Sequence, residues 1–160
     1  MSSASFVERQ LGLLGDKPPL DVLRATPARL EAAIARLGSA GLTRSPAPGK
    51  WSGAQVLAHL ADMEIVFGYR FRQTLAEDGH TLQGVEQDTW ARRYARVDAA
   101  TAAQAFRGLR MWNVRMVESM TPAELERPYT HPDRGPETLA KLLRLWAGHD
   151  LNHLGQLDAL

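Results

Sequence analysis

Four stretches of the chain place apolar residues three and four positions apart, the spacing of a helix with one buried face. The first covers about 20–37, the second follows Ser52, the third follows Asp98, and the fourth begins at Pro136. Their apolar positions are Leu23, Leu30, Ile34, Leu37; Val56, Leu60, Met63, Phe67, Phe71; Ala102, Phe106, Leu109, Trp112, Met116, Met120; and Leu139, Leu143, Trp146, Leu157. No stretch alternates as a half-buried strand does. The pattern predicts an all-α protein, a four-helix bundle.

Residues with known preferences for helix ends mark several of the boundaries. Ser52 and Gln55 form a capping-box pattern at the start of the second helix. Thr26 followed by Pro27 is typical of a helix start, so the first long helix is predicted to begin either near residue 20 or at Pro27. Gly38 is predicted to end that helix.

The remaining segments are shorter and less regular. Residues 1–19 are predicted to be an N-terminal extension, with a short helix over 6–14, before a single domain that completes the 160-residue chain. Residues 79–97 are long for a connection, which is typical of a lid, a binding loop or a packing flap, and include a short predicted helix over 87–94. Residues 127–136 contain three prolines and are predicted to be a loop.

Three histidines interrupt two of the apolar stripes. His149 and His153 are four residues apart in the last helix, so both imidazoles lie on one helix face, one turn apart. His59 lies in the stripe of the second helix. A buried polar cluster needs partners, and one shared metal ion would supply them while leaving coordination positions open. A single histidine on an apolar face is more often a satisfied core residue.

Three carboxylates lie close enough in sequence to take part. Asp62 lies one turn after His59, and Glu64 lies just off that face; either could act as a base or hold a ligating imidazole. Asp150 occupies a position where the stripe calls for an apolar residue, so it either orients an imidazole or is a partly exposed helix residue.

Other conspicuous side chains have plainer interpretations. His80 and His131 are predicted to face solvent, and the arginines near residue 93 to form a solvated face or to anchor an acidic substrate. The four tryptophans are predicted to lie in the core rather than in a pocket: Trp51, Trp90, Trp112 and Trp146.

Composition narrows the function classes. The net charge of +1 gives no electrostatic attraction to nucleic acid or to an anionic membrane. No apolar run approaches the roughly 18 residues that span a bilayer, and no signal peptide is evident. The chain has no cysteine, which excludes disulfides, thiolate ligands and a cysteine nucleophile, and which suits a cytoplasmic protein.

Two motifs together resemble those of the DinB-like, or YfiT-like, family of metalloenzymes. They are Pro-Gly-Lys-Trp-Ser at 48–52 followed by Val-Leu-Ala-His-Leu-Ala-Asp at 56–62, and His-Asp-Leu-Asn-His-Leu-Gly-Gln at 149–156. The resemblance covers about 20–157. It implies a four-helix bundle, often a homodimer, that binds a divalent metal, zinc or nickel, through His59, His149 and His153. Apolar surface around Phe67, Phe71 and residues 79–97 is the candidate dimer interface.

The resemblance also implies a small-molecule substrate. Relatives include transferases and isomerases that use a low-molecular-weight thiol such as bacillithiol, mycothiol or glutathione. Two hypotheses follow: a metal-dependent transferase or hydrolase, and a non-catalytic, stress-associated bundle that binds a metal or a ligand. Because imidazole binds metal only when neutral, metal affinity is predicted to fall below about pH 6, and the metal-free protein to lack most of that acid sensitivity.

Overall fold

A computed structural model describes residues 3–160 of the chain. Within them, the four-helix bundle predicted from the apolar spacing is confirmed, and shorter elements surround it. The elements in chain order are α1 (Ser3–Leu14), α2 (Pro19–Thr43), α3 (Gly53–Ala76), α4 (Gln87–Tyr94), α5 (Ala99–Glu118), α6 (Pro122–Leu125), β1 (Pro128–His131), β2 (Gly135–Thr138) and α7 (Leu139–Asp158). The bundle consists of α2, α3, α5 and α7. Within the described residues, no helix is long and apolar enough to cross a membrane.

The predicted cap of α3 is present, and the end of α2 is more complex than predicted. The Ser52 side chain accepts from the Gln55 backbone N–H, and the Gln55 side chain accepts from the Ser52 N–H. Gly38 leaves the helical conformation with a φ of 61°, as its role as a helix end predicts, but further helical turns follow it to Thr43. The connector to α3 is therefore shorter than the sequence suggested.

The prediction that a helix starts at Pro27 is wrong, because α2 runs through this residue. Proline has no N–H, so it leaves the carbonyl of Leu23, four residues earlier, without its helical donor. Arg110 of α5 replaces that donor: its Nη1 lies 2.9 Å from the Leu23 oxygen. Thr26 does not cap the helix but is fully buried, with its hydroxyl 2.7 Å from Oδ2 of Asp150.

The N-terminal helix α1 packs along α7. The close approach depends on Gly148. A Cβ atom at this position would lie 2.1 Å from the carbonyl oxygen of Gln10, so only glycine allows the two helices this spacing. Residues 1–19 were predicted as an extension, and α1 within them forms one wall of the cavity described below.

The buried face of α5 differs from the predicted stripe after Phe106. The helix buries Arg110, Asn113 and Val117, whereas Trp112 is 65% exposed. The spacing of four, three and four from Phe106 is as regular as the predicted one. The apolar criterion selected the wrong side because two of the buried positions carry polar side chains.

Residues 127–136 were predicted to be a loop, but they contain most of a short β-hairpin. β1 and β2 pair antiparallel, with Tyr129 opposite Glu137. The Tyr129 hydroxyl lies 2.8 Å from Oε2 of Glu137, and both side chains are buried. β1 also bonds to the loop before α4, through Leu82 N–H to the Thr130 oxygen. The hairpin therefore holds the loop before α4 in place.

Candidate metal centre

The structure brings the three predicted histidines together from α3 and α7. Nε2 of His149 lies 3.0 Å from Nε2 of His59 and 3.1 Å from Nε2 of His153. One ring nitrogen from each can be chosen so that all lie within 4.8 Å of one another, and the three side chains are buried. Their common face results from the one-turn spacing on α7 and from the packing of α3 against α7.

The hydrogen bonds among the three histidines and their neighbours do not satisfy all of the ring nitrogens. Nδ1 of His153 lies 2.9 Å from Oε1 of Gln156, so Nδ1 carries the proton and Nε2 presents a lone pair. A proton on Nε2 of His149 could serve only one of its two neighbours. Nδ1 of His59 and Nδ1 of His149 are buried and have no hydrogen-bond partner among the described residues. Three converging imidazole nitrogens therefore fit a shared cation.

Burial keeps these imidazoles neutral. It lowers the pKa of His59 to about 3 and that of His153 to about 4, and it holds the pKa of His149 well below the usual value. Neutral imidazole is the form that binds metals. These lowered pKa values argue against the expectation that the metal-free protein lacks most of the acid sensitivity, because protonating a buried histidine destabilises the folded state even without a metal.

A cavity of about 1140 Å³ opens beside the cluster and is lined by His149 and His153. Side chains from α1, the α2–α3 connector, the loop before α4 and the hairpin form its other walls. Trp51 was predicted to lie in the core, but it lines this cavity. Its ring centroid lies 4.9 Å from that of His59, and its ring plane is nearly parallel to that of His153. Only Trp146 of the four tryptophans is deeply buried.

Gln10 contributes an unusual group to the same cavity. Its side chain is 1% exposed, and its Oε1 has no hydrogen-bond partner among the described residues. A buried carboxamide without a partner is costly unless water or a ligand bonds to it. The sequence did not indicate a role for Gln10, because nothing in residues 6–14 predicted that this helix would form a wall of the cavity.

Glu64 and Asp150 lie in a buried charge network instead of lining the cavity. The Arg110 guanidinium bonds to Glu64 through Nε at 3.0 Å and to Asp150 through Nη1 at 2.6 Å and Nη2 at 3.0 Å. Asn113 and Trp146 also donate to the Glu64 carboxylate. Burial opposes the charge on Arg110, but Asp150 and Glu64 raise its pKa above the usual value. Asp150 is therefore neither partly exposed nor bonded to an imidazole.

Asp62 belongs neither to this charge network nor to the residues that line the cavity. It is half-buried, and burial together with this carboxylate raises the pKa of the buried Tyr94 hydroxyl. The Tyr94 ring centroid lies 6.3 Å from that of His59. Asp62 is thus the one predicted carboxylate that the Arg110 network does not engage.

Two predictions about surface residues need correction. His131 is buried and lines the cavity, with Nε2 2.8 Å from Nη1 of Arg134, although it was predicted to face solvent. His80 is half-buried, with Nδ1 3.2 Å from the Glu77 oxygen.

Arginine side chains also line the cavity, but they are not the predicted ones. Arg92, Arg93 and Arg96 are exposed and line no part of the cavity. The arginines that do are Arg9, Arg70 and Arg134.

Comparison with known proteins agrees with this architecture. The chain is 26% identical over 135 residues to a protein of Bacillus mycoides, and 23% identical over 135 residues to one of Oceanobacillus iheyensis, each named "Putative metal-dependent hydrolase". Each alignment covers 84% of this chain and 78% of the relative. The solved structure of YfiT from Bacillus subtilis, described as having an unusual four-helix bundle topology, matches with a TM-score of 0.75. That match has 24% identity and covers 88% of this chain and 83% of YfiT.

The model of the DinB superfamily matches residues 23–157, which include α2 to nearly the end of α7 and all three histidines. The helix α1 lies outside the match. The family resemblance found in the two sequence motifs is therefore confirmed, and the chain belongs to the DinB superfamily.

Proposed function

We propose that this protein is a metal-dependent enzyme that binds one divalent cation through His59, His149 and His153. The observation that supports it is the convergence of three buried, neutral imidazoles at the wall of a large cavity, with too few protons to satisfy one another. The names of the relatives agree with a metal-dependent hydrolase. Zinc is the first candidate because it accepts three histidines and leaves a position open, and nickel is the second.

The protein's own residues would prepare the cavity for a small-molecule substrate. A divalent cation would supply Lewis-acid chemistry, lowering the pKa of a water molecule or a thiol near it. Gln156 orients the His153 imidazole through Nδ1. Trp51 covers one side of the cluster and excludes water. Asp62 lies one helical turn after His59 and outside the Arg110 network, and it is the carboxylate we assign as proton acceptor.

Metal analysis of untagged protein tests the ligand assignment. We expect one divalent cation per chain in the parent. His153→Ala should lose it while the helical circular dichroism stays close to the parent, because the bundle core does not depend on this side chain. His80→Ala is the matched control and should keep the cation, since His80 lies outside the cluster. A His153→Ala protein with full metal content would show that the assignment is wrong.

A reaction screen separates hydrolysis, thiol transfer and binding alone. Metal-loaded protein is incubated with ester, amide and alkyl-halide electrophiles, with and without glutathione or bacillithiol. Turnover without thiol indicates a hydrolase, and turnover that requires thiol indicates a transferase. Chelation should abolish either activity, and Asp62→Asn should lower the turnover number without changing metal content. If the cation binds and no electrophile reacts, the non-catalytic bundle becomes the better interpretation.

We also propose that the protein forms a homodimer, but not through the part of the predicted surface around Phe67 and Phe71. Phe67 and Phe71 are buried in the core. Exposed apolar side chains lie instead on α3 and α5, two helices that pack together, and 57–67% of each is accessible: Ile65, Tyr69, Met111 and Trp112. Light scattering should give twice the monomer mass, and Trp112→Glu should reduce it. A monomeric parent at tens of micromolar would exclude this dimer.

A further inference from the structure

Arg70 is a half-buried guanidinium in the wall of the cavity that contains His149 and His153. Its Nη2 donates to the Gln83 carbonyl at 2.9 Å, which holds the side chain against the loop before α4. No carboxylate among the described residues lies within ion-pair distance of it. A guanidinium has five N–H donors in a planar fork, so most of its bonding capacity is unused here.

Glu137, the carboxylate whose charge acts on Arg70, cannot supply that partner because both of its oxygens are already engaged. Its Oε1 accepts from Arg134 Nε and lies 2.8 Å from Nζ of Lys141, while its Oε2 accepts from Arg134 Nη2 and from the Tyr129 hydroxyl. Two cations, Arg134 and Lys141, therefore already pair with this buried carboxylate. Burial lowers the pKa of Arg70, and Glu137 only partly offsets this. This side of the cavity has an excess of positive charge.

The exposed charges on the other walls balance one another. Arg9 and Lys50 line the cavity and form no ion pair with the described residues. Asp88 and Asp133 line it as well, and water screens the charges of all four of these exposed residues, so the half-buried Arg70 is the charge that favours an anionic ligand.

We infer that the substrate of this site is a small organic anion whose carboxylate or similar planar charged group binds to Arg70. Arginine matches a carboxylate with two parallel N–H donors, and the match is strongest where water is partly excluded. The inference rests on the proposed function in placing the reacting part of the substrate beside the three histidines. It adds an anchor elsewhere in the wall of the same cavity and so requires a substrate with a negative charge.

Two probes of equal shape test the anchor: benzoate and the neutral benzamide. Calorimetric titration of the purified protein should give benzoate an affinity about tenfold higher than benzamide. Arg70→Gln should bring the two affinities within about twofold of each other, because the carboxylate loses its charged partner. Arg107→Gln is the matched control: Arg107 is exposed, pairs with Glu31 and lines no part of this cavity, so the preference should remain.

The titrations also distinguish an anchor from a merely structural arginine. Loss of the Gln83 contact alone would weaken both probes equally and leave their ratio unchanged. Equal affinities in the parent, a preference that survives Arg70→Gln, or one that disappears in Arg107→Gln would each overturn the inference, and the first needs no variant to fold. Repeating the titrations after chelation separates the two proposals: a preserved preference in a protein that never binds metal would remove the proposed function alone.

Discussion

Replacing Arg110 with methionine tests the charge network beneath the metal centre. Methionine keeps most of the length and apolar volume of the stem, but it removes the guanidinium. The change deletes five hydrogen bonds, which join Arg110 to Glu64, Asp150 and the Leu23 carbonyl. It also removes the stacking of the guanidinium over Phe106, at 4.7 Å from the ring centroid.

The expected cost follows from what remains. Glu64 and Asp150 are each 1% exposed, and they would keep their charges without the cation between them. Removing one partner of a buried ion pair typically costs about 3–5 kcal/mol. Because two carboxylates lose the same partner, we expect a loss near the upper end, about 5 kcal/mol, in the free energy of unfolding at pH 7. A domain of this size is typically stable by only about 5–15 kcal/mol, so the variant should be marginal.

The pH dependence identifies the cause of that loss. A buried carboxylate without a cation takes up its proton at a higher pH than in the unfolded chain. The carboxylates of the folded variant then bind more protons than those of its unfolded chain, so the stability that the variant has lost relative to the parent is partly regained as pH falls from 7 toward about 5. Urea unfolding followed by circular dichroism at pH 7, 6 and 5 should show the difference from the parent shrinking.

Arg107→Met controls for the loss of a positive charge from the same helix. Its side chain is exposed, so the change should cost no more than about 1 kcal/mol at any of these pH values. An Arg110→Met protein within about 1 kcal/mol of the parent at pH 7, with no pH-dependent difference, would refute the reasoning.

Two more predictions concern α7. Gly148→Ala should force α1 away from α7 and cost about 1–3 kcal/mol, because the new Cβ would overlap the Gln10 carbonyl. Gly155→Ala, where nothing lies within 4 Å of an added Cβ, should be stabilising; urea unfolding compares the two, and equal effects would contradict the packing argument. Chelated protein should lose stability as pH falls from about 6.5, by up to about 1.4 kcal/mol per pH unit for each buried histidine, since burial lowers the pKa of His59 to about 3 and of His153 to about 4. Thermal melts between pH 7 and 5 measure this, and replacing His59 and His153 with glutamine should make the profile less steep, leaving the contribution of His149.

The helices α3 and α7 could be predicted from sequence because their buried faces are mostly apolar. His59, His149 and His153 fell on those faces at helical spacing, so their burial and meeting followed once α3 packed against α7. The capping box at Ser52 fixed the start of α3, and with it the phase of the stripe. Local signals and tertiary packing agree here, which is why the prediction succeeded.

The parts that could not be predicted depend on contacts between distant segments. Pro27 is typical of a helix start, and only Arg110, far along the chain, supplies the donor that lets α2 continue through it. The hairpin strands have four residues each, too short for a clear alternation. Arg70 is held in the cavity wall by its contact with the loop before α4. Gln10 is brought to the cavity by the close packing of α1 against Gly148. Neither contact leaves a pattern in the sequence.

Polar residues on apolar stripes look alike in sequence, yet the two buried polar clusters of this protein differ in one respect. Arg110 has opposite charges beside it, and Glu64 and Asp150 receive donors from it, so that network is largely satisfied within the chain. The histidine cluster consists of three groups of the same kind, and Nε2 of His149 faces Nε2 of both His59 and His153 at 3.0 and 3.1 Å, where one proton cannot serve both contacts. Like groups cannot neutralise one another, whereas a cation satisfies several lone pairs at once. A buried cluster of identical ligand types therefore favours a metal, and a buried cluster of opposite charges favours a structural network.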